Sequence, residues 1–308
     1  MVHTFLYPGI LKSLLYSYEL YIALNSLSLR TCISLCEKLK VNSKEVNSAM
    51  AGKEKKILGL RHDVDTKIGL LKGVPKVVEI EDKFDVRSTF FIRVRVLKSL
   101  NRNAVEMLKD IEKNGWEIGL HLDNTLAIES MKSPQWELNE LLKYGFNVKG
   151  ATPHGGILEA SSERVWKVLD TLDLVYIQGY KKPPSGLKSI TLPQHITLDW
   201  FVRRYGSKKG YRVFLNRLKK RINKDGIAII LTHPEYFVLS TGILGSLRPR
   251  GQGFKVKVIK YLNKLTVIPL TLFKVRMLSD VYIRMLSELR EEYTFKTLYE
   301  LSLFISRT

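Results

Sequence analysis

The sequence predicts an α/β protein in which a barrel of parallel strands follows a helical N-terminal segment. From Ile57 onward, short apolar or β-branched runs alternate with longer stretches of helical periodicity. Repeated strand–helix units of this kind form parallel strands with helices outside, as either a barrel or a doubly wound sheet. About seven strands in roughly 250 residues favour the barrel. The 308 residues are 45% hydrophobic, so the chain can bury a core of that size.

The first 55 residues differ from the rest of the chain. Apolar residues recur there at helical spacing, first from Leu11 to Tyr21 and then from Leu29 to Leu39. The polar stretch 42–56 follows and has the composition of a linker. We therefore expect a helical N-terminal extension and linker at residues 1–55, and one barrel domain at residues 56–308.

The barrel region alternates strand and helix patterns in order. The predicted strands are Ile57–His62, Ser88–Val94, Trp116–His121, Val148–Thr152, Leu174–Gln178, Ser189–Leu192 and Ile227–Thr232. The main helical patterns are Ala104–Asn114, Pro134–Tyr144, Glu163–Thr171 and Tyr211–Asn223. A helix at Val281–Glu292, a short strand at Tyr293–Phe295 and a capping box from Thr297 to Glu300 close the chain.

The composition excludes several classes of protein. Two cysteines in 308 residues rule out a disulfide scaffold and fit a reducing compartment. No apolar run approaches the roughly 20 residues needed to cross a bilayer. Lys12 and Glu19 interrupt the apolar N-terminus, which is a poor match to a signal peptide. We therefore expect a soluble, cytoplasmic protein.

The charge of the chain is unusually positive. The formal net charge is +20 at pH 7, and residues 203–264 contribute +14 because 16 Lys or Arg face only Asp225 and Glu235. A concentrated basic surface attracts phosphates, acidic glycans, anionic lipid headgroups or nucleic acid, although a solvated Lys-rich surface has the same composition. No specific nucleic-acid motif is present. The expected partners are an anionic or lipid-linked substrate and, peripherally, the inner membrane surface.

Polar residues collect where the predicted strands end. Four of the six histidines, His62, His121, His154 and His233, stand at or just past a strand's carboxyl end, where parallel α/β folds keep their chemistry. A single histidine there is more often structural than a ligand. Four at successive strand ends, beside a pair of carboxylates, indicate a functional site.

The carboxylate pair lies directly after the first barrel strand. Asp63 and Asp65 are two residues apart and project the same way if the extended conformation continues. One carboxylate can then hold a divalent metal while the other accepts a proton from water. Arg61, two residues before Asp63, projects from the same side of the strand and lies one position deeper in the barrel. Its charge there would keep Asp63 ionised.

These residues resemble the polysaccharide deacetylases that share the NodB-homology domain, a family of metal-dependent carbohydrate esterases with a distorted (β/α)7 barrel. The resemblance covers Ile57 to Ile305. The matching segments, in order, are His62–Asp65 (HDVD, the Asp-x-Asp variant of the first motif), Ser88–Phe91 (STFF), Glu117–His121 (EIGLH), Leu231–Pro234 (LTHP) and Tyr293–Leu301 (YTFKTLYEL).

The resemblance implies a role for each matching residue. Asp63 corresponds to the general base, Asp65 and His121 to metal ligands, and His233 to the general acid. The implied reaction is metal-dependent hydrolysis of an N-acetyl group from an amino sugar in a polysaccharide or glycoconjugate. The implied cofactor is one divalent ion, zinc in most of the family, with cobalt, nickel or manganese as alternatives.

Two departures from the family pattern leave positions to be filled. The family's second metal histidine is replaced by Thr125, so His154 is the first candidate for the third ligand and Asp123 the second. Ala151 stands where the family often has the arginine of the base, and Arg61 or Arg87 can substitute.

Asp199 and Trp200 resemble the family's pair in which an acidic residue tunes the catalytic histidine and a tryptophan lines the acyl pocket. A surface aspartate beside a core tryptophan is the alternative explanation for these two residues.

Other functions share parts of this pattern. Asp-x-Asp after a strand occurs in haloacid-dehalogenase-type phosphotransferases, but those need Thr or Val where Lys67 stands. A metal-binding Asp-x-Asp also occurs in nucleotide-sugar glycosyltransferases, and neither class explains the later histidines. The main alternative is a catalytically degenerate barrel that binds an anionic polymer or membrane through residues 203–264. The presence of Asp63, Asp65 and His233 favours the enzyme.

Overall fold

The structure, a computed structural model, describes residues 56–123, 133–154, 163–179, 182–239 and 277–307. The predicted N-terminal extension and linker lie outside these ranges, so the division at residue 55 stays a prediction. Thr125 and most of the connection 237–254 also lie outside them. No described helix is long and apolar enough to cross a membrane.

A single parallel sheet organises the described residues. Its strands are β1 (Lys56–Val64), β2 (Thr89–Ile92), β3 (Glu117–Leu122), β4 (Gly150–Pro153), β5 (Tyr176–Gln178), β6 (Ile190–Leu192), β7 (His195–Thr197), β8 (Ile227–Thr232) and β9 (Tyr293–Lys296). The order is β6-β5-β4-β3-β2-β1-β8-β7, and β9 also pairs with β1. The sheet curls into a half-barrel, which confirms the predicted α/β class and distorted (β/α)7 architecture.

Helices connect these parallel strands. They are α1 (Val74–Asp82), α2 (Val94–Lys98), α3 (Arg102–Lys113), α4 (Pro134–Lys143), α5 (Glu163–Asp170), α6 (Leu198–Tyr205), α7 (Ser207–Asp225), α8 (Met277–Leu289) and α9 (Leu298–Ile305). A π-helical turn at Gly69–Gly73 precedes α1, and a 3-10 turn at Pro234–Phe237 follows β8.

The sequence sets the helix ends through ordinary capping. The Ser133 side chain accepts from Trp136 N at the start of α4, and the predicted capping box of Thr297 and Glu300 opens α9. Helix α7 ends at Gly226, which has φ +71° and donates its N–H to Ile222 O. This left-handed conformation is one that glycine adopts without a Cβ penalty.

Strand β1 divides one of its edges between two partners. Lys56–Gly59 pair with β9, and Arg61–Val64 pair with β2. Helix α9 follows β9, and a Cβ on Gly59 would lie 2.7 Å from Leu298 and 2.9 Å from Leu301. Because side chains alternate along a strand, Gly59, Arg61 and Asp63 share the face that α9 closes from below.

Two apolar clusters lie on the two faces of the sheet. The larger one fills the layer between the strands and the outer helices and includes Leu58, Leu60 and Val64 of β1. The smaller one packs α9 against the inside of the curled sheet and comprises Phe91, Tyr176, Leu192, Ile229, Leu298 and Leu301. The inner cluster forms the floor beneath Arg61 and Asp63.

Glu81 of α1 joins the outer layer to β1 through four hydrogen bonds. Its Oε1 accepts from Tyr282 OH at 2.5 Å and lies 2.9 Å from His62 Nε2, while its Oε2 accepts from Ser88 Oγ and Trp116 Nε1, both at 2.7 Å. Glu81 and His62 are buried, and the His62 ring stacks on Phe90. His62 therefore serves the core, unlike the other three strand-end histidines.

Candidate metal and catalytic site

The polar residues meet at the carboxyl ends of β1, β3, β4 and β8. Arg61 and Asp63 are the most deeply placed, with 0% and 1% exposure, and His121 at the end of β3 is equally buried. The side chains of Asp65, His154 and His233 are partly exposed. The site is therefore a polar well that opens to solvent at Asp65, His154 and His233.

Three potential metal ligands converge in this well. His121 Nε2 lies 3.2 Å from Asp65 Oδ1, His154 Nδ1 lies 3.1 Å from the same oxygen, and the two ring nitrogens are 3.2 Å apart. Ligands at about 2.0–2.2 Å from a tetrahedral zinc ion are about 3.3 Å from one another. The spacing of the three atoms fits a common divalent ion.

Hydrogen bonding within the cluster also supports a bound divalent ion. His121 Nδ1 lies 3.4 Å from the Thr152 carbonyl oxygen, and a proton on Nδ1 leaves the Nε2 lone pair facing Asp65. Asp65 Oδ1 is buried and lacks a hydrogen-bond donor among the described residues. A cation placed between these acceptor atoms would satisfy all three.

Electrostatics hold Asp65 in its ligating form. Burial raises the pKa of its carboxyl, but the nearby rings of His121, His154 and His233 outweigh burial and bring the pKa well below its usual range. Arg93 Nη1 also donates to the Asp65 carbonyl oxygen at 3.2 Å and fixes the backbone where β1 ends. Asp65 is thus ionised, and its backbone is held in place for the side chain to act as a ligand.

Of the two residues considered for the third ligand, His154 joins the cluster and Asp123 does not. Asp123 Oδ1 accepts from Arg93 Nε at 2.7 Å, and its Oδ2 lies 3.3 Å from Arg95 Nε. The backbone N–H of Asp123 donates to Glu137 at 2.9 Å. Asp123 is therefore held by arginines beside the cluster, whereas Thr125 lies outside the described residues.

Asp63 is held by Arg61 through a bidentate contact. Arg61 Nε donates to Asp63 Oδ1 at 2.6 Å and Nη2 donates to Oδ2 at 2.7 Å. Arg61 Nη1 donates to Gln178 Oε1 at 2.5 Å and lies 3.4 Å from His195 Nδ1. Of the two arginines considered as the partner of Asp63, Arg61 is therefore the one that contacts it. The alternative, Arg87, stacks on Trp116 and pairs with Asp82 instead.

This buried network sets the charges around Asp63. Burial raises the pKa of the Asp63 carboxyl, but Arg61, with smaller contributions from His121 and His233, outweighs burial and holds the pKa well below its usual range. Burial and the Arg61 charge lower the pKa of His195 to about 3. Asp63 is therefore ionised and His195 neutral at pH 7.

His233 directly follows β8, the strand next to β1, and contacts Asp199. Its Nδ1 lies 3.2 Å from both Asp199 oxygens, and its Nε2 lies 4.0 Å from Asp65 Oδ2. Burial lowers the pKa of His233, but the Asp199 carboxylate, followed by Asp63 and Asp65, raises it to about 10. Asp199 thus orients the ring and keeps its Nε2–H pointed into the well.

Trp200 lies away from this contact. It is 44% exposed, whereas Asp199 is 1% exposed, so the alternative of a surface aspartate beside a core tryptophan is wrong. The Trp200 ring contacts Phe201, Tyr205 and Arg204. These contacts lie on the surface of α6 and give no support to a place in an acyl pocket.

Four residues of the well were missing from the sequence-based site. Gln178 and His195 hold Arg61, Arg93 holds Asp65 and Asp123, and Glu235 lies buried after His233, where burial raises its pKa to about 7. A signal existed for two of them. Arg93 and Gln178 are polar residues at the ends of apolar strands, the same burial–charge conflict that marked Asp63.

No family model and no curated protein matches the sequence. Solved structures similar to the chain include a CE4 family pseudoenzyme from Bacillus anthracis, at 19% identity over 81% of this chain and 66% of that chain (TM-score 0.44). A family 4 acetyl xylan esterase from Clostridium thermocellum in complex with a cobalt ion has 18% identity over 81% and 91% (TM-score 0.44).

A peptidoglycan N-acetylglucosamine deacetylase is similar at 16% identity over 80% of this chain and 87% of that chain, with a TM-score of 0.41. At these identities and TM-scores, the similarity contributes nothing to the assignment of the site residues or of the function. Both depend on the residues of this chain.

Proposed function

We propose that this protein is a metal-dependent hydrolase that removes an acetyl group from an N-acetylated amino sugar. The observation that carries the proposal is the convergence of Asp65 Oδ1, His121 Nε2 and His154 Nδ1 within 3.1–3.2 Å of one another, close to Asp63 and His233. Asp65, His121 and His154 would hold the ion. A divalent ion there supplies a Lewis acid that polarises a carbonyl and lowers the pKa of water.

Asp63 is proposed as the base that accepts a proton from the attacking water. Its Oδ2 lies 3.6 Å from His121 Nε2, which places the carboxylate beside the ligand cluster. The Arg61 contact keeps it ionised and fixes its orientation, and at the same time reduces its proton affinity. A base of this kind suits water whose own pKa has been lowered.

His233 is proposed as the acid that donates a proton to the departing amine. Asp199 holds Nδ1, so Nε2 is the nitrogen that faces the well. The raised pKa keeps the ring protonated at neutral pH. An amine leaves poorly without such a proton, and His233 Nε2 lies 4.0 Å from Asp65 Oδ2, beside the ligand cluster.

The substrate class rests on the motif resemblance alone. The order and spacing of HDVD, EIGLH and LTHP along the chain match an amidohydrolase of acetylated sugars better than the phosphotransferase or glycosyltransferase alternatives.

The experiment is a screen for acetate released from N-acetylglucosamine oligomers by the zinc-loaded protein. We expect Asp63→Asn to abolish acetate release while the bound metal is retained, and His233→Ala to slow turnover about 100-fold or more without unfolding. Loss of metal in Asp63→Asn would contradict the separation of base from ligands. Full activity in either variant would contradict the proposed reaction.

A further inference from the structure

A basic–aromatic surface lies at the corner between α6 and α7, formed by Trp200, Arg204, Tyr205, Lys208, Lys209 and Arg212. Trp200 is 44% and Tyr205 37% exposed, and their ring centroids are 6.1 Å apart, so the two rings form one exposed aromatic area. The four cationic residues are all exposed. The surface therefore combines unburied aromatic area with a cluster of positive charge.

The positive charge continues along α7. This helix carries eight Lys or Arg and one acidic residue, Asp225. A groove of about 550 Å³ beside it is lined by Lys208, Lys209, Arg212, Lys219 and Arg284, and none of its described lining residues is acidic. Arg284 is paired with Glu288 at 2.6 Å, and the other four cationic residues of the groove belong to α7. The groove fits an anionic ligand.

The aromatic residues indicate which anion this surface fits. Arg204 lies over both rings, at 5.3 Å from the Trp200 centroid and 5.6 Å from the Tyr205 centroid, and Lys209 lies 6.0 Å from the Tyr205 centroid. Cations over the ring faces compete with stacking of sugars or bases on those faces. Amphipathic rings beside Lys and Arg suit the interface of an anionic bilayer, where rings enter at headgroup level and cations meet phosphates.

The surface also lies at the same end of the barrel as the site. Helix α6 begins directly after β7, and Asp199, the residue before Trp200, contacts His233. We propose that the basic–aromatic surface docks this protein on an anionic phospholipid bilayer, with the site end of the barrel toward the headgroups. This interaction is independent of the proposed hydrolysis.

The test is co-sedimentation of the full chain with vesicles of phosphatidylcholine alone or with about 30% phosphatidylglycerol. We expect binding only to the anionic vesicles, and its loss at about 1 M salt. Lys208→Glu/Lys209→Glu should weaken binding about 30-fold or more, since each cation near such a surface contributes about fivefold. Lys113→Glu/Lys224→Glu, on exposed positions elsewhere, changes the net charge equally and should weaken it much less.

Tryptophan fluorescence separates docking from adsorption of any polyanion. Anionic vesicles should shift the emission to shorter wavelength in the wild type and not in Trp200→Phe. Equal weakening by the two lysine pairs, or binding to heparin with no vesicle-induced shift, would overturn the proposal in favour of general or polymer binding. Acetate release from a soluble substrate should be unchanged in Lys208→Glu/Lys209→Glu, so failure here does not bear on the site.

Discussion

Replacing Arg61 by Met removes the charged partner of Asp63 and keeps a side chain of similar reach. In the wild type both residues are buried, and both Asp63 oxygens accept from the guanidinium at 2.6 and 2.7 Å. Without Arg61, the Asp63 carboxylate is a buried charge that has lost its partner. Breaking a buried pair in this way costs about 3–5 kcal/mol.

Protonation of Asp63 limits that cost and makes it depend on pH. Each pH unit above the usual carboxyl pKa of about 3.9 costs about 1.4 kcal/mol, so neutralising Asp63 costs about 4 kcal/mol at pH 7 and about 1.5 kcal/mol at pH 5. In the wild type the pKa of Asp63 lies below its usual value, so the pair stabilises fully above about pH 4 and is lost on acidification. The destabilisation should therefore grow from pH 5 to pH 7.

The assay is urea unfolding of metal-free protein in EDTA, compared with the wild type at each pH. Arg61→Met should lose about 3–4 kcal/mol at pH 7 and about 1–2 kcal/mol at pH 5. The double variant Arg61→Met/Asp63→Asn should recover most of the loss, because no buried charge remains. An equal loss at both pH values, or a double variant as unstable as the single one, would refute the buried ion pair.

Two further predictions concern His233 and the core. Asp199→Asn removes the main charge that raises the pKa of His233. In the pH profile of kcat/KM for zinc-saturated protein, the alkaline limb should therefore move down by about one pH unit or more. An alkaline limb at the wild-type position would contradict the pairing of Asp199 with His233. Glu81→Gln leaves two of the four hydrogen-bond partners of Glu81 without an acceptor, and it should lower the free energy of unfolding in urea by about 2–5 kcal/mol. The control is Glu79→Gln on the same helix, because Glu79 forms only exposed pairs with Lys76 and Lys83. That variant should lose less than about 1 kcal/mol.

Local sequence patterns predicted much of the sheet. Strand β1 was expected at Ile57–His62 and extends to Val64, with Arg61 and Asp63 on one face as period-two alternation requires. The run of apolar residues followed by charge was sufficient to identify the strand end. These features are local, so a single sequence contains them.

Features that depend on distant neighbours were not predictable in this way. Strand β7 was missed because His195–Thr197 is three residues long and follows β6 after two residues, yet pairs with β8 at the other end of the sheet. His195 was missed with it. Asp123 stayed open as the second candidate for the third ligand, and only the fold shows that its carboxylate pairs with Arg93.

The assignment of Asp65, His121 and His154 as metal ligands is tested most directly by metal content and affinity. Elemental analysis and zinc titration of the wild type, His154→Ala and Thr125→Ala should find one tightly bound ion per wild-type chain. Affinity should fall more than about 100-fold in His154→Ala, since loss of a ligand exceeds loss of an outer contact, and stay unchanged in Thr125→Ala. No bound ion in the wild type at neutral pH with zinc, cobalt or nickel, or equal affinity in His154→Ala, would contradict the assignment.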